Sequence, residues 1–230
     1  MKRMLITALA AFFTVSAFAT EPDQNPVYAS PSGTFTFDLV SHIGYGYHFV
    51  NSSAFKPSSA GEFFVNLAEI GIYPGKHFGI ELGVDVEGNY FRSKENFFVL
   101  DSKNLIQTVK IADVESLGGH YDKARGSFNF LTFNAPLMVK GIFDKFRIGV
   151  GAEASLNCLG ETYMTYNVDS KRTQVEDTAA EINLFSYGLI ASLGYGEVSL
   201  YFKYYPKGSK VLPDGSVDMN FMTLGIALGF

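Results

Sequence analysis

The sequence predicts an all-β chain folded as an antiparallel, eight-stranded, up-and-down transmembrane β-barrel. Three observations predict it. Apolar residues recur at every second position over segments longer than ordinary globular strands. The charges within those segments fall opposite the large hydrocarbon side chains. Short turns alternate along the chain with long, polar links.

The first segment is set apart from the fold. Lys2 and Arg3 precede an apolar stretch from Met4 to Val15, and Ala17-Phe18-Ala19 forms an A-x-A cleavage site before Thr20. This is the layout of a secretory signal peptide, and it falls short of the roughly 20 apolar residues that a spanning helix needs. Residues 1–19 are therefore read as a signal peptide and 20–32, with three prolines, as a periplasmic leader without regular structure. Residues 33–230 are read as the barrel domain.

Removing Lys2 and Arg3 leaves 16 basic residues against 23 acidic, a net charge of −7. No basic patch stands out, so nucleic acid is not an expected partner. The one cysteine, Cys158, cannot form an internal disulfide. Past the signal, no run of ~18 apolar residues reads as a membrane helix.

The strands follow in order. Between Gly33 and Val50, Phe35, Phe37, Leu39, Ile43, Tyr45, Tyr47 and Phe49 share one face, and Thr34, Thr36, Asp38, His42 and His48 share the other. Such a run exceeds the ~5–6 residues of a common strand and suits the ~9–11 of a tilted membrane strand. The second strand, 61–73, is less clean: apolar residues occupy both faces, and Asn66 and Glu69 sit on opposite sides by parity. From Phe78, Ile80, Leu82, Val84 and Val86 oppose Glu81, Asp85, Glu87 and Asn89. In 127–141, Leu131, Phe133, Ala135, Leu137 and Val139 are assigned outward. From Phe146, Ile148, Val150, Ala152, Ala154, Leu156 and Cys158 oppose Arg147, Glu153, Ser155 and Asn157. Within 182–194, Phe185, Tyr187, Leu189, Ala191 and Leu193 oppose Ser186, Gly188 and Ser192. From Val198, Leu200, Phe202 and Tyr204 oppose Ser199, Tyr201, Lys203 and Tyr205. The last strand, FMTLGIALGF at 221–230, puts Met222, Leu224, Ile226, Leu228 and Phe230 on one face.

Short turns are expected at 73–77, 142–145 and 194–196, and longer polar links at 51–60, 93–126, 160–181 and 206–217. This asymmetry belongs to outer-membrane barrels, whose short turns face the periplasm. Burying Glu81, Asp85, Glu87, Arg147, Glu153 and Lys203 unpaired in an apolar core would cost several kcal/mol each. The hydrocarbon face is therefore expected to meet lipid, and the charged face the lumen. FFVLDSKNLIQTVKI within 93–126 reads as a hairpin too short to cross a membrane, hence an extracellular β-extension; ten strands are the structural alternative.

The ending M-x-L-x-I-x-L-x-F resembles the C-terminal signal of bacterial outer-membrane proteins, whose final aromatic, here Phe230, is read by the barrel-insertion machinery. FLTFNAPLMVKGIF at 130–143, followed by FRIGVGAEASL at 146–156, resembles the PorT-like outer-membrane β-barrel domain family. Pro136, Leu137 and Lys140 match its P-L-x-x-K segment. The resemblance implies an integral outer-membrane protein and carries over no catalytic residues.

No residue is assigned a catalytic, cofactor-binding or metal-ligating role, and no cofactor is expected. GVGAEA at 149–154 spells G-x-G-x-x-A, but its glycines lie inside a strand and not before a helix. His42 and His48, six residues apart on one strand face, are ~20 Å from each other and cannot share a metal. His77 falls in a turn and His120 in a loop, so the histidines read as polar surface positions. Cys158 reads as a small lipid-facing residue. Glu81, Asp85, Glu87 and Glu153 are expected to form a lumen network with Arg147 and Lys203. An eight-stranded barrel is only wide enough for its own side chains, so this network is structural. It also leaves no space for the sugar that a carboxylate pair could otherwise hydrolyse.

The expected function is a non-enzymatic integral protein of the cell outer membrane, with a structural role or one of binding a ligand through loops 93–126 and 160–181. A lipid-modifying barrel enzyme, or a narrow channel for ions or small solutes, is the alternative.

Overall fold

The computed structural model describes residues 35–114, 121–168, 171–206 and 209–229. The expected signal peptide and leader, His120 and Phe230 lie outside them.

The alternating segments form β1 (Phe35–Leu39), β2 (His42–Asn51), β3 (Ser59–Gly75), β4 (Phe78–Ser93), β5 (Asn96–Leu100) and β6 (Ile106–Lys110). They continue as β7 (Tyr121–Phe143), β8 (Phe146–Val168), β9 (Lys171–Ala180), β10 (Phe185–Tyr195), β11 (Val198–Tyr204) and β12 (Asn220–Gly229). Strands β2, β3, β4, β7, β8, β10, β11 and β12 form an antiparallel ring in that order. The ring closes where β12 pairs with β2, from Asn220 opposite Asn51 to Gly229 opposite His42. The fold is thus a closed barrel of eight walls; β1 continues β2 along β3, past a positive φ of 52° at Val40. The ten-strand alternative is excluded, because β5 and β6 pair only with each other in a separate sheet.

Leu82, Val150 and Leu228 are 47%, 56% and 46% exposed on the outer surface. The opposite positions Glu81, Asp85, Glu87, Glu153 and Lys203 are buried. Leu131, Phe133, Ala135, Leu137 and Val139 alternate outward against buried Thr132, Asn134, Pro136 and Met138. In β3 a bulge between Asn66 and Ala68 inverts the parity. Phe63 faces outward before it, Ile70 and Ile72 after it, so Asn66 and Glu69 both face the lumen rather than opposite sides.

Turns at 76–77, 144–145 and 196–197 close one end of the barrel. They are tied together: the Gly196 amide donates to Lys145 at 2.9 Å, and the Gly229 amide to Glu197 at 2.7 Å. Gly196 holds a φ of 60°, the left-handed region in which a Cβ is unfavourable.

The other end departs from the expected polar loops. Strands β7 and β8 run 23 residues each, about twice a membrane crossing. Above the rim β8 exchanges neighbours, from β10 up to Leu156 to β9 from Gly160 onward. Most of 160–181 is therefore a projecting hairpin and not a loop. The link 206–217 is not simply polar either: Val211, Leu212 and Val217 are buried with Phe55, Phe91, Phe98, Ile106 and Phe221.

The hairpin β5–β6 packs on the projecting sheet through Phe97 and Ile111, against Ala124, Met164 and Tyr166. Gly126 permits this approach, since a Cβ there would stand 2.4 Å from Asn96 O and 2.8 Å from Phe97 Cα. Overpacking costs ~1–3 kcal/mol, so Gly126→Val should lift the hairpin. Proteolysis between residues 96 and 110 should then speed up about tenfold or more, while the folded barrel keeps its heat-modifiable gel mobility.

Candidate functional site

The lumen holds the largest polar constellation, because alternation sends every second side chain of eight strands toward one axis. Its centre is Lys203 on β11. The Lys203 ammonium donates to Glu87 and lies 3.1 Å from Glu62 and 3.7 Å from Glu153. All four side chains are essentially shielded from solvent. The rings of Phe64 and Tyr201 lie 5.3 and 5.7 Å from the same ammonium. Gly44 makes room for Phe64, whose ring edge would come within 2.1 Å of any Cβ there.

Further donors reach Glu87 and Glu153 from other parts of the wall. The amides of Asn89 and Asn134 donate to Glu87 at 2.8 and 3.0 Å. The Tyr205 hydroxyl donates to Glu153 at 2.8 Å. Because the Asn89 amide points at Glu87, its oxygen faces His48, whose Nε2 must then carry a proton and donate at 3.0 Å. His48 Nδ1 meets the Thr223 hydroxyl at 2.8 Å. His48 is therefore a buried lumen residue rather than the surface position expected of it. Its ring also stacks on Phe91 at 5.0 Å, where the polar layer gives way to an apolar one.

Toward the turns lies a second layer. Lys140 pairs with Glu81, and the Tyr73 hydroxyl donates to Glu81 at 2.5 Å. Asn66 donates to Asp85 at 2.8 Å. The expected network is thus present in altered form. Glu87 and Glu153 join Lys203, Glu81 joins Lys140, and Arg147 instead donates to the backbone oxygen of Gly196. Glu62, Lys140 and His48 are additions. Glu62 lies on β3, whose bulge conceals its facing, and Lys140 sits four residues after Pro136 on a segment assigned by its apolar side.

Among the described residues one Ser–His contact is formed, Ser41 Oγ to His42 Nδ1 at 2.8 Å. It is not a nucleophile–base pair. Asn66 directs its amide to Asp85 and to Ala68 O, so its oxygen takes the single Ser41 proton at 2.9 Å. His42 Nδ1 must then donate to Ser41 and cannot act as its base.

Above the polar layers the apolar cluster of Phe91, Phe128, Phe130, Tyr205 and Phe221 fills the mouth, capped by Phe55, Phe98, Val211, Leu212, Val217 and Met219 from the connections. Beside this cap, an open cleft of about 1290 Å³ lies between the 50–57 segment, 94–96, 110–112 and 123–125.

No protein-family model matches the chain, and no curated protein does. Among the solved structures that resemble it weakly are two small barrels. One is Ail, the attachment invasion locus protein of Yersinia pestis, in complex with the heparin analogue sucrose octasulfate: 11% identity, 85% of this chain and 97% of that one covered, TM-score 0.36. The other is Neisserial surface protein A, NspA: 13% identity, 86% and 98% covered, TM-score 0.33. Likeness at this level carries no argument about what this chain does; the barrel rests on its own strand pairing.

Removing one member of a buried ion cluster leaves its partners uncompensated, at a cost of roughly 3–5 kcal/mol. Lys203→Met should therefore destabilise the barrel by about that amount in urea unfolding from detergent or vesicles. Asp85→Asn, which keeps a polar side chain beside Asn66, should cost less.

Proposed function

We propose that this chain is a non-enzymatic integral protein of the outer membrane, working as a rigid, plugged barrel that presents its loop end outside the cell. The observation that carries this reading is the exposed hydrocarbon surface of a barrel whose charges, among the described residues, are turned inward or to its ends. On β10, Tyr195 and Tyr187 are exposed and eight residues apart, with Leu193 and Leu189 between them. That spacing is ~27 Å along the strand, or ~20 Å along the axis at a tilt of ~40°. It approaches the ~25 Å apolar band between the aromatic girdles of outer-membrane barrels. Phe78, Phe143 and Phe146 supply exposed rings at the turn end, and Tyr47, Phe49 and Tyr204 at the loop end.

In this reading the turns face the periplasm. Signal-directed export of residues 1–19 delivers the chain, and the insertion machinery recognises its last strand and Phe230. The PorT-like kinship belongs to the same proposal, supported by Pro136, Leu137 and Lys140 falling together on β7, with Leu137 and Lys140 opposite Leu82 and Gly79 of β4. Two features favour a structural or binding role over conduction: ion pairs and hydrogen bonds crowd the lumen, and an aromatic plug covers them. Binding then belongs to the projecting parts of 93–126 and 160–181.

A charge at mid-bilayer on a lipid-facing position costs ~2–4 kcal/mol. Val150→Arg should lower unfolding stability in vesicles by that amount, whereas Arg172→Ala on β9, beyond the rim, should be near neutral. The mature chain should resist carbonate extraction and show no stable conductance steps in planar bilayers. Protease added to intact cells should cut within 93–126 or 160–181. Release by carbonate, or insensitivity to Val150→Arg, would overturn the membrane reading.

A further inference from the structure

The open cleft beside the cap concentrates positive charge on a chain that is acidic overall. Lys56, Lys94, Lys110, Lys123 and Arg125 line it, with Glu95 the one acidic lining residue. All five cations are exposed, and none forms an ion pair among the described residues. They come from four separate segments: the β2–β3 connection, the β4–β5 link, the end of β6 and the start of β7. Like charges brought together by tertiary packing repel unless something between them is negative. The uncharged lining, Asn51, Ser52, Ser53 and Asn96, supplies groups able to bond hydroxyls. The cleft's volume exceeds that of a typical small-molecule pocket, so it accommodates more than one sugar ring. Its position matters as well. Lys94, one residue past β4, follows Tyr90 by four residues, ~14 Å at most, so the cleft lies just above the loop-end aromatic rim.

We propose that this cleft binds a saccharide carrying several phosphate groups. The ammonium and guanidinium groups neutralise the phosphates, and the Asn and Ser side chains meet sugar hydroxyls. A binding site at this height suits the phosphorylated sugar headgroup of a glycolipid surrounding the barrel; a free phosphorylated saccharide presents the same chemistry. This inference rests on the reading of the loop end as external only for the source of the ligand, not for the cleft's affinity.

The test uses the full mature chain, purified in a zwitterionic detergent and also reconstituted in phosphatidylcholine nanodiscs. Inositol hexakisphosphate is titrated calorimetrically against the detergent form. A phosphorylated glycolipid and its enzymatically dephosphorylated form are each incorporated into the nanodiscs, and their association with the barrel is measured. Wild type should bind the soluble probe saturably, with affinity falling as salt rises, and should favour the phosphorylated glycolipid. The triple variant K94E/K110E/K123E should weaken both at least tenfold. The matched variant K76E/K145E/K210E, which reverses three exposed cations outside the cleft, should change them less than twofold. Heat-modifiable mobility checks that each is folded; should the triple variant not fold, K94Q alone should still reduce affinity measurably. Preference for the glycolipid over the soluble probe assigns the source to the leaflet, and equal binding assigns it to free saccharide. Absence of saturable binding to either probe, equal losses in both triple variants, or indifference to dephosphorylation would overturn the proposal. Binding to the detergent form with loops unreachable on intact cells would instead sink the orientation and leave the cleft standing.

Discussion

Everything in this molecule follows from the pairing of β12 with β2. A sheet left open there would expose two edges of unpaired amides and carbonyls. Closing it satisfies the wall backbone within the wall itself, which is what a strand needs wherever water is absent. Closure also defines an inside and an outside, and a period of two then sorts every side chain between them. Hydrocarbon goes to the exterior, where Leu82, Val150 and Leu228 stand. Charge goes to the axis, where Lys203 meets carboxylates from β3, β4 and β8.

The interior is stabilised as a unit. Lys203 alone would be intolerable away from water, and so would Glu62, Glu87 and Glu153. Together, with donations from Asn89, Asn134 and Tyr205, they cross-link opposite walls of the barrel. The contacts join residues far apart in sequence, such as Lys203 with Glu87, so they form only once the walls are in place. The aromatic layer around Phe91 and Phe221 then separates this polar interior from the loop end, and His48 serves as the hinge between layers, bonding to Asn89 and Thr223 while stacking on Phe91. Ion pairs and hydrogen bonds among the described residues occupy the lumen, and the projecting structure lies beyond the aromatic layer that covers them.

That projecting structure is more ordered than polar composition implies. Strands β7 and β8 continue well past the rim, β9 joins them, and β5–β6 lies on the result where Gly126 allows backbone to meet backbone. The 50–57 segment and the ends of β4, β6 and β7 consequently face one another across a cleft. Its cations are scattered between residues 56 and 125 and gather only through this arrangement.

The sequence by itself determined the barrel, the outward face of most walls and the inward placement of Lys203, Glu87 and Glu153. The reason is that alternation is local: parity along one strand needs no knowledge of its neighbours. It could not determine β3, where a single bulged residue at 67 reverses parity and places Asn66 and Glu69 on one side. Nor could it choose partners. Arg147 turning to Gly196 rather than to the acids, Glu62 and Lys140 entering the ion clusters, and Val211 and Leu212 folding into the cap all depend on which wall stands across the axis. Those are properties of closure and shear, and a one-dimensional pattern carries no record of them.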